Sequence, residues 1–469
     1  MFTTIQSLVR QVAVVSLLGL FLLTPYCNAD LRVTAYYPGY KQSLMPASEI
    51  DFSVITHLIH FSVIPNPDGT LNTSANGITA ARVADAVTRA HAASRKVLIC
   101  AGGAGSETDF RGATSTANLN SFVSNLVGFM STNAYDGIDL DWEPLPSSDF
   151  EQYTNLLLAL RSALNSFSSA KLLTVAAASY PPYPDTTSAE FVMYASIQNQ
   201  LDQINLMTYD LSGPYEGWVT WFNSPIYDGG ATFPGTSRKL PSIDAVVKEF
   251  LTNGVAASKL GIGTPFYGFV WKGGTGTSSE GVTLPRQSWI TPPATTAVPF
   301  ASIMSTYFQS NLYHWDSIAQ APYLSVTNSV STNDEFIAYD DEHSTEAKIS
   351  YARNHSLGAI MIWELSQDYE STAPAGLRHP LLQSVQAALA TPGLISIQSS
   401  NTDVHLSFTS APLGLYRVLF TTNWADGQWT TLTNNVTGTS NIVGTSVIID
   451  SGILSLQLQR FYRIQTTPP

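Results

Sequence analysis

The chain has 469 residues, 44% of them hydrophobic and only 12% charged, with a formal net charge of −13 and no run of Lys or Arg. That length supports a large core and more than one domain. The acidic balance argues against nucleic acid and anionic membrane as partners and suits a neutral substrate; aromatics at 11% suit carbohydrate binding without proving it.

At the N-terminus, Arg10 precedes an apolar run at 12–23 that is short for a membrane span, and Cys27-Asn28-Ala29 forms a small-residue site. The pattern predicts a signal peptide over residues 1–29, cleaved after Ala29. The mature protein is then secreted, extracellular or periplasmic, with no membrane partner; an uncleaved anchor is the alternative. Cys27 leaves with the leader, so Cys100 has no intramolecular disulfide partner. At the end of "KVLICAGG" it reads as a buried strand residue rather than a thiol nucleophile. No Cys/His metal spacing occurs, and His57 and His60, in an apolar strand, read as packing residues.

Eight short, almost continuously apolar runs read as strands covered on both faces: 31–37, 54–64, 96–102, 135–142, 172–179, 203–210, 259–267 and 357–363. Helical patterns separate them. One has Leu156, Leu160 and Leu164 at i, i+4, i+8, with a Ser or Asp available as N-cap. Another, "SIDAVVKEFLTNG", ends on Gly254; "STEAKISYARNHSLG" is a third. The order fits an α/β fold, a (β/α)8 TIM barrel over residues 30–391, with a doubly wound open sheet as the runner-up. A segment at about 272–334 is too long for a βα loop. It contains "FASIMSTYF" and "APYLSV", so it reads as a small α+β insertion. From 394 to 469, short alternating stretches separated by Gly, Asn, Ser and Thr predict a small C-terminal all-β sandwich domain. Trp424 and Trp429 there read as core or turn aromatics before sugar platforms. Asn72, Asn354 and Asn435 sit in glycosylation sequons.

The densest chemistry lies in "YDGIDLDWEP" (135–144). Side chains alternate along a strand, so Asp139, Asp141 and Glu143 share one face while Leu140 and Trp142 take the other. In a barrel the shared face is the interior, and Glu143 lies nearest the carboxyl end, where barrel enzymes place their active sites. Three acids spaced roughly 6.5–7 Å apart in a confined interior raise one another's pKa values, and a Glu kept protonated is what a general acid needs. A calcium loop is disfavoured because Pro144 and Phe150 occupy the positions that need Gly and Glu. A solvated charged edge is disfavoured by the intervening Ile138, Leu140 and Trp142.

"DGIDLDWE" resembles the Asp-x-x-Asp-x-Asp-x-Glu signature of glycoside hydrolase family 18, the chitinases. "VTAYYPGY", "THLIHFSV", "CAGG", "MTYD" (207–210), "PFYG" (265–268) and the segment 336–365 are similar to the family's other motifs, in the same order. Cys100 stands where Ser is usual. The resemblance spans roughly residues 31 to 391. It implies substrate-assisted retaining hydrolysis: the substrate's N-acetyl oxygen attacks the anomeric carbon and gives an oxazolinium intermediate. By the same resemblance Glu143 is general acid and base, Asp141 orients the acetamide, Asp139 shares a proton with Asp141, and Tyr209 donates to the acetamido oxygen. Trp363 would form the apolar floor, with Asp210, Met207, Tyr36 and Tyr267 lining the subsite. Asp136 is grouped with this set in a more structural part.

Two departures bear on the leaving side: Ala104 replaces a Trp that often follows the paired glycines, and Phe269 an Arg common in the insertion-bearing branch. The expected function is a secreted chitinase acting on β-1,4-linked N-acetylglucosamine polymers as a monomer, with no cofactor and no metal. An endo-β-N-acetylglucosaminidase acting on N-glycans and a non-catalytic chitin-binding lectin are the alternatives; the intact Glu143 stands against the lectin.

Overall fold

The computed structural model describes residues 13–14, 31–178, 189–390, 394–410, 415–422, 428–437, 444–456 and 460–466. The expected leader lies outside these residues except for Ala13–Val14, as does Trp424. The chain divides into two compact units, one of Arg32–Ser384 and one centred on Val385–Pro469.

In the first unit, seven parallel strands follow one another in chain order: β1 (Arg32–Pro38), β2 (His57–Pro65), β3 (Lys96–Ala104), β4 (Gly137–Glu143), β5 (Leu172–Ala178), β6 (Gln203–Met207) and β7 (Leu260–Pro265). Their side chains are buried on both faces, as the unbroken apolar runs require. Helices α1 (Ala80–Ala92), α2 (Glu107–Ala113), α3 (Leu119–Thr132), α4 (Phe150–Leu164), α5 (Ala189–Ile197) and α6 (Ile243–Thr252) lie between them. Leu156, Leu160 and Leu164 of α4 are all buried, each contributing about 1.5–3 kcal/mol of hydrophobic stabilisation. The expected N-cap of α4 differs in detail. Asp149 holds the cap position but caps nothing, because its carboxylate accepts from Arg111 Nε at 2.8 Å.

After β7 the expected seventh run breaks at Phe266, whose N–H donates to the Trp363 carbonyl. β8 (Tyr267–Lys272) leaves the barrel. With β9 (Ala294–Pro299), β10 (Tyr313–Asp316), β11 (Ala321–Val326) and β12 (Glu335–Ala338) it forms an antiparallel sheet of order β9-β8-β12-β11-β10, carrying the short helix α7 (Phe300–Thr306). The α+β insertion therefore starts at Tyr267 and ends at Ala338, wider than the expected 272–334. The chain returns through α8 (Glu342–Asn354), opened by a capping box of Asp341 and Ser344, to β13 (Ala359–Trp363). β13 pairs with β7 on one side and β1 on the other, and β1 with β2, which closes the eight-stranded barrel.

The second unit starts within α9 (Pro380–Ala390). It holds β14 (Leu394–Ser400), β15 (Asp403–Ser410), β16 (Leu415–Thr421), β17 (Thr430–Thr437), β18 (Gly444–Asp450) and β19 (Phe461–Thr466). One antiparallel sheet is β14-β15-β18. The other is β19-β16-β17, with Ala13–Val14 paired against β19. Val404, Leu406, Phe408, Tyr416, Val418, Tyr462 and Ile464 make one apolar cluster between them. Trp429 is half-buried with Arg463 5.9 Å from its ring centre. Among the described residues no helix is long and apolar enough to cross a membrane.

Candidate active site

On β4 the alternation sorts charge from apolar surface. Trp142 turns outward, stacked on Phe110 of α2 at 4.7 Å between ring centres and edge-on to Tyr153 of α4 at 6.1 Å. The acids turn inward and rise toward the mouth: Asp139 is fully buried, Asp141 3% exposed, and Glu143 partly open. The neighbouring strand β3 pairs residue by residue, Cys100 with Asp139, Gly102 with Asp141 and Ala104 with Glu143. Gly102 has φ +108°, and a Cβ there would collide with the Asp141 carbonyl oxygen, so that position of "CAGG" admits only glycine.

Each acid has a different environment. Asp139 accepts a hydrogen bond from the Tyr36 hydroxyl at 2.9 Å and another from the Thr174 hydroxyl of β5, with the Cys100 thiol alongside. Burial raises its carboxyl and these donors hold it back. Asp141 is raised well above the ordinary carboxylate range, first by burial and then by the negative charges of Glu143 and Asp139; its Oδ1 has no hydrogen-bond partner. Glu143 is raised by burial and next by Asp210. The group binds protons at pH values where free carboxylates have lost them.

Facing the acids, β6 ends in Met207, partly buried, and two residues on lies Tyr209, whose hydroxyl donates to the Met361 sulfur at 3.9 Å. Asp210 is exposed to the cleft. Its N–H donates to Asn223 Oδ1 at 2.8 Å, and the Tyr267 hydroxyl donates to its carboxylate. Burial raises the Asp210 carboxyl and the Tyr267 hydrogen bond opposes that rise. Trp363, at the end of β13, is partly exposed, 5.4 Å from the Tyr36 ring and edge-on to Phe61 at 5.0 Å. Tyr36, Tyr209, Tyr267 and Met361 share one apolar cluster against which Met207, Phe269 and Trp363 pack. The result is an acid stack with an aromatic floor on one side and a phenol-carboxylate pair on the other.

Two expected site residues lie elsewhere in function. Asp136 precedes β4 at the opposite end of the strand, about 20 Å from Glu143 at the usual rise per residue. Its carboxylate accepts from the Val97 N–H at 3.0 Å and pairs with Lys96 and His91, each at 2.9 Å. Burial pushes it up, but these three partners outweigh that and hold it below its ordinary value. Asp136, grouped with the site residues in a more structural part, thus forms a tie at the far end of the strand and lies away from the cleft. Tyr36 is 1% exposed, and its hydroxyl is committed to Asp139, so it supports the acids rather than lining an open wall. His60 is buried between the Tyr135 hydroxyl at 2.7 Å and Gln42 at 2.8 Å, and burial lowers its pKa to about 3. His57 is lowered to about 4, mainly by burial. Among the described residues no group of three or more His, Cys, Asp or Glu is placed to hold a metal.

Sequence reasoning missed Thr174 and Asn223. A lone hydroxyl within "LLTVAAA", on the strand after the acids and in register with Asp139, was a usable signal for Thr174. Asn223 lies in an irregular segment where no periodicity points to it.

Comparison with known proteins settles the lineage. The profile of "Glycosyl hydrolases family 18" matches residues 32–368. The chain belongs to glycosyl hydrolase family 18. Chitinase A1 of Niallia circulans is 31% identical over 316 residues, 61% of this chain and 42% of that protein. A class V chitinase of Arabidopsis thaliana is 27% identical over 388 residues, 79% of this chain and 94% of that protein. The chain thus spans under half of the bacterial relative and nearly all of the plant one. The solved structure of a group IV chitinase of Ostrinia furnacalis in complex with allosamidin superposes with a TM-score of 0.64 at 21% identity, over 77% of this chain and 99% of that one, and shares the fold. The family match covers the barrel and the insertion.

Proposed function

We propose that this member of family 18 is a secreted chitinase that cleaves β-1,4 bonds between N-acetylglucosamine units with retention of configuration. The observation that carries the reading is the buried acid stack ending in a partly open Glu143, with Asp141 Oδ1 unpartnered beneath it and the Tyr209 hydroxyl across from it.

Burial and the Asp210 charge favour the protonated form of Glu143, which can deliver a proton to the leaving glycosidic oxygen and afterwards take one from water. Most retaining glycosidases place a second carboxylate as nucleophile about 5–5.5 Å from the acid. Here Asp141 lies deeper in the same strand and Asp139 deeper still. In the proposed mechanism, therefore, the substrate's acetamido oxygen attacks the anomeric carbon. Asp141 accepts the acetamido N–H and offsets the positive charge of the oxazolinium ion, while Asp139, held by Tyr36 and Thr174, shares its proton with Asp141. Tyr209 donates to the acetamido oxygen, and Trp363 carries the apolar face of the distorted sugar. Residues 1–29 are proposed as a cleaved leader, and the C-terminal unit as an accessory domain.

The test is reducing-end release from soluble chitin oligomers by wild type and Glu143→Gln. Release by wild type alone supports the reading. No release by wild type overturns it, and cleavage of high-mannose glycoprotein in its place would favour an endo-β-N-acetylglucosaminidase.

A further inference from the structure

The stretch Thr208–Tyr209–Asp210 carries much of the proposed chemistry, yet it lies beyond the regular ladder. β6 stops at Met207, and Asp210 takes a left-handed backbone with φ 56°, uncommon for a residue with a side chain. Such a conformation persists where its surroundings fix it.

Two adjacent residues do so. Asn223, 1% exposed, accepts the Asp210 N–H through Oδ1 at 2.8 Å and donates from Nδ2 to the Tyr267 carbonyl at 3.2 Å. Its own carbonyl accepts the Leu211 N–H at 3.0 Å. Ser224, also buried, donates its hydroxyl to the Thr208 carbonyl at 2.6 Å and accepts from Lys348 Nζ at 2.7 Å. Lys348 lies in α8 and is fully buried; Asp340 neutralises it at 2.7 Å and itself accepts from the Ser344 hydroxyl at 2.7 Å. Tyr209 is thus bracketed by hydrogen bonds to the carbonyl before it and the N–H after it, and both trace to one turn.

We propose that the Asn223–Ser224 turn, braced by the buried Lys348–Asp340 pair, is a positioning element that fixes Tyr209 and Asp210 against the reacting sugar. The inference rests on the function proposed above. Burying a lysine and an aspartate together gains little net stability even when they pair well, whereas a fully hydrogen-bonded pair fixes direction. Lys348 spends its donors on Asp340 and Ser224, and Ser224 passes that constraint to Thr208. A catalytic donor displaced by about 1 Å can lose on the order of 10²-fold in rate, so a brace of this kind acts on turnover more than on binding.

Steady-state kinetics on a soluble chitin oligomer with a chromogenic leaving group, using the full chain, tests the proposal. Asn223→Ala and Ser224→Ala are expected to lower kcat by roughly 10- to 100-fold while KM changes by less than about threefold. Ser224→Thr, which keeps the hydroxyl, is expected to restore most of kcat. Folded alanine variants with wild-type kcat would overturn the proposal, as would losses that merely follow the folded fraction in a thermal melt. If the alanine variants do not fold, the double variant Lys348→Met with Asp340→Asn carries the test by the same criteria, since it removes the brace without stranding a buried charge. A wild-type chain inactive on chitin oligomers is a separate failure: it overturns the proposed function, and this inference with it.

Discussion

At the N-terminal end of the barrel, Asp136 meets Lys96, His91 and the Val97 N–H, and Asp202 meets Arg161 at 2.6 Å. At the C-terminal end, Asp139, Asp141, Glu143 and Asp210 have hydroxyls, a thiol and an amide near them, but no Lys or Arg pairs with them among the described residues. Asp136 and Asp141 come from one short stretch of sequence, yet the first is held below its ordinary pKa and the second well above it. A cation and a backbone donor turn a carboxylate into a fastener; depth and like charge turn it into a proton holder. The difference assigns roles that residue type alone does not.

The largest effect expected from this contrast is on turnover. Glu143→Gln should lower kcat by about 10²- to 10⁴-fold, the usual worth of a general acid, while Asp136→Asn leaves kcat per folded molecule unchanged. Comparable losses in both would erase the distinction between the two ends.

Next is Asp141→Asn, expected to cost roughly 10²- to 10³-fold in kcat, the scale of losing one electrostatic stabiliser of the transition state. Its stability effect should have the opposite sign to that of Asp136→Ala. The Asp136 carboxyl has a depressed folded pKa, so its stabilisation is present above the unfolded carboxylate value near ~3.9 and is lost as pH falls through the folded one. Asp141 has a raised folded pKa, so its burden grows as pH climbs from the unfolded value to the folded one. At neutral pH, Asp136→Ala should destabilise by about 1–3 kcal/mol and Asp141→Asn should stabilise. Melts of both variants and wild type between pH 3 and 7 read the signs directly.

A smaller effect concerns Asp210, the second cause of the raised Glu143 carboxyl after burial. Asp210→Asn should move the alkaline limb of kcat/KM to lower pH, leaving the share due to burial. The smallest concerns the histidines. With pKa values of about 4 and about 3, His57 and His60 stay neutral across the working range, so His57→Gln and His60→Gln should leave the pH profile of the folded protein in place. A limb that moved with either would bring a histidine into the chemistry.

The barrel was legible because its strands are buried on both faces, and burial of that kind writes an unbroken apolar run. The acid face was legible because strand alternation is local. Contacts between distant segments were not. The break at Phe266 is set by the Trp363 carbonyl, nearly a hundred residues away in the chain, and no local pattern marks it. Asp136 shares its residue type with the stacked acids, but it lies three residues before Asp139, outside their i, i+2 alternation, and the partners that hold it, His91, Lys96 and Val97, come from distant segments. The same holds for Asp149, which composition suggests as a cap and Arg111 claims instead. Asn223 reaches Asp210 and Tyr267 from an irregular loop, where spacing carries no direction.

The central claim is that Glu143 moves the proton while the substrate's own acetamide attacks from the face away from the leaving group. Proton NMR of a chitin oligomer in the first minutes of hydrolysis reads it most directly. The account predicts that the new reducing end appears first as the β-anomer and then mutarotates. An initial α-anomer would mean direct attack by water with inversion, and would contradict it.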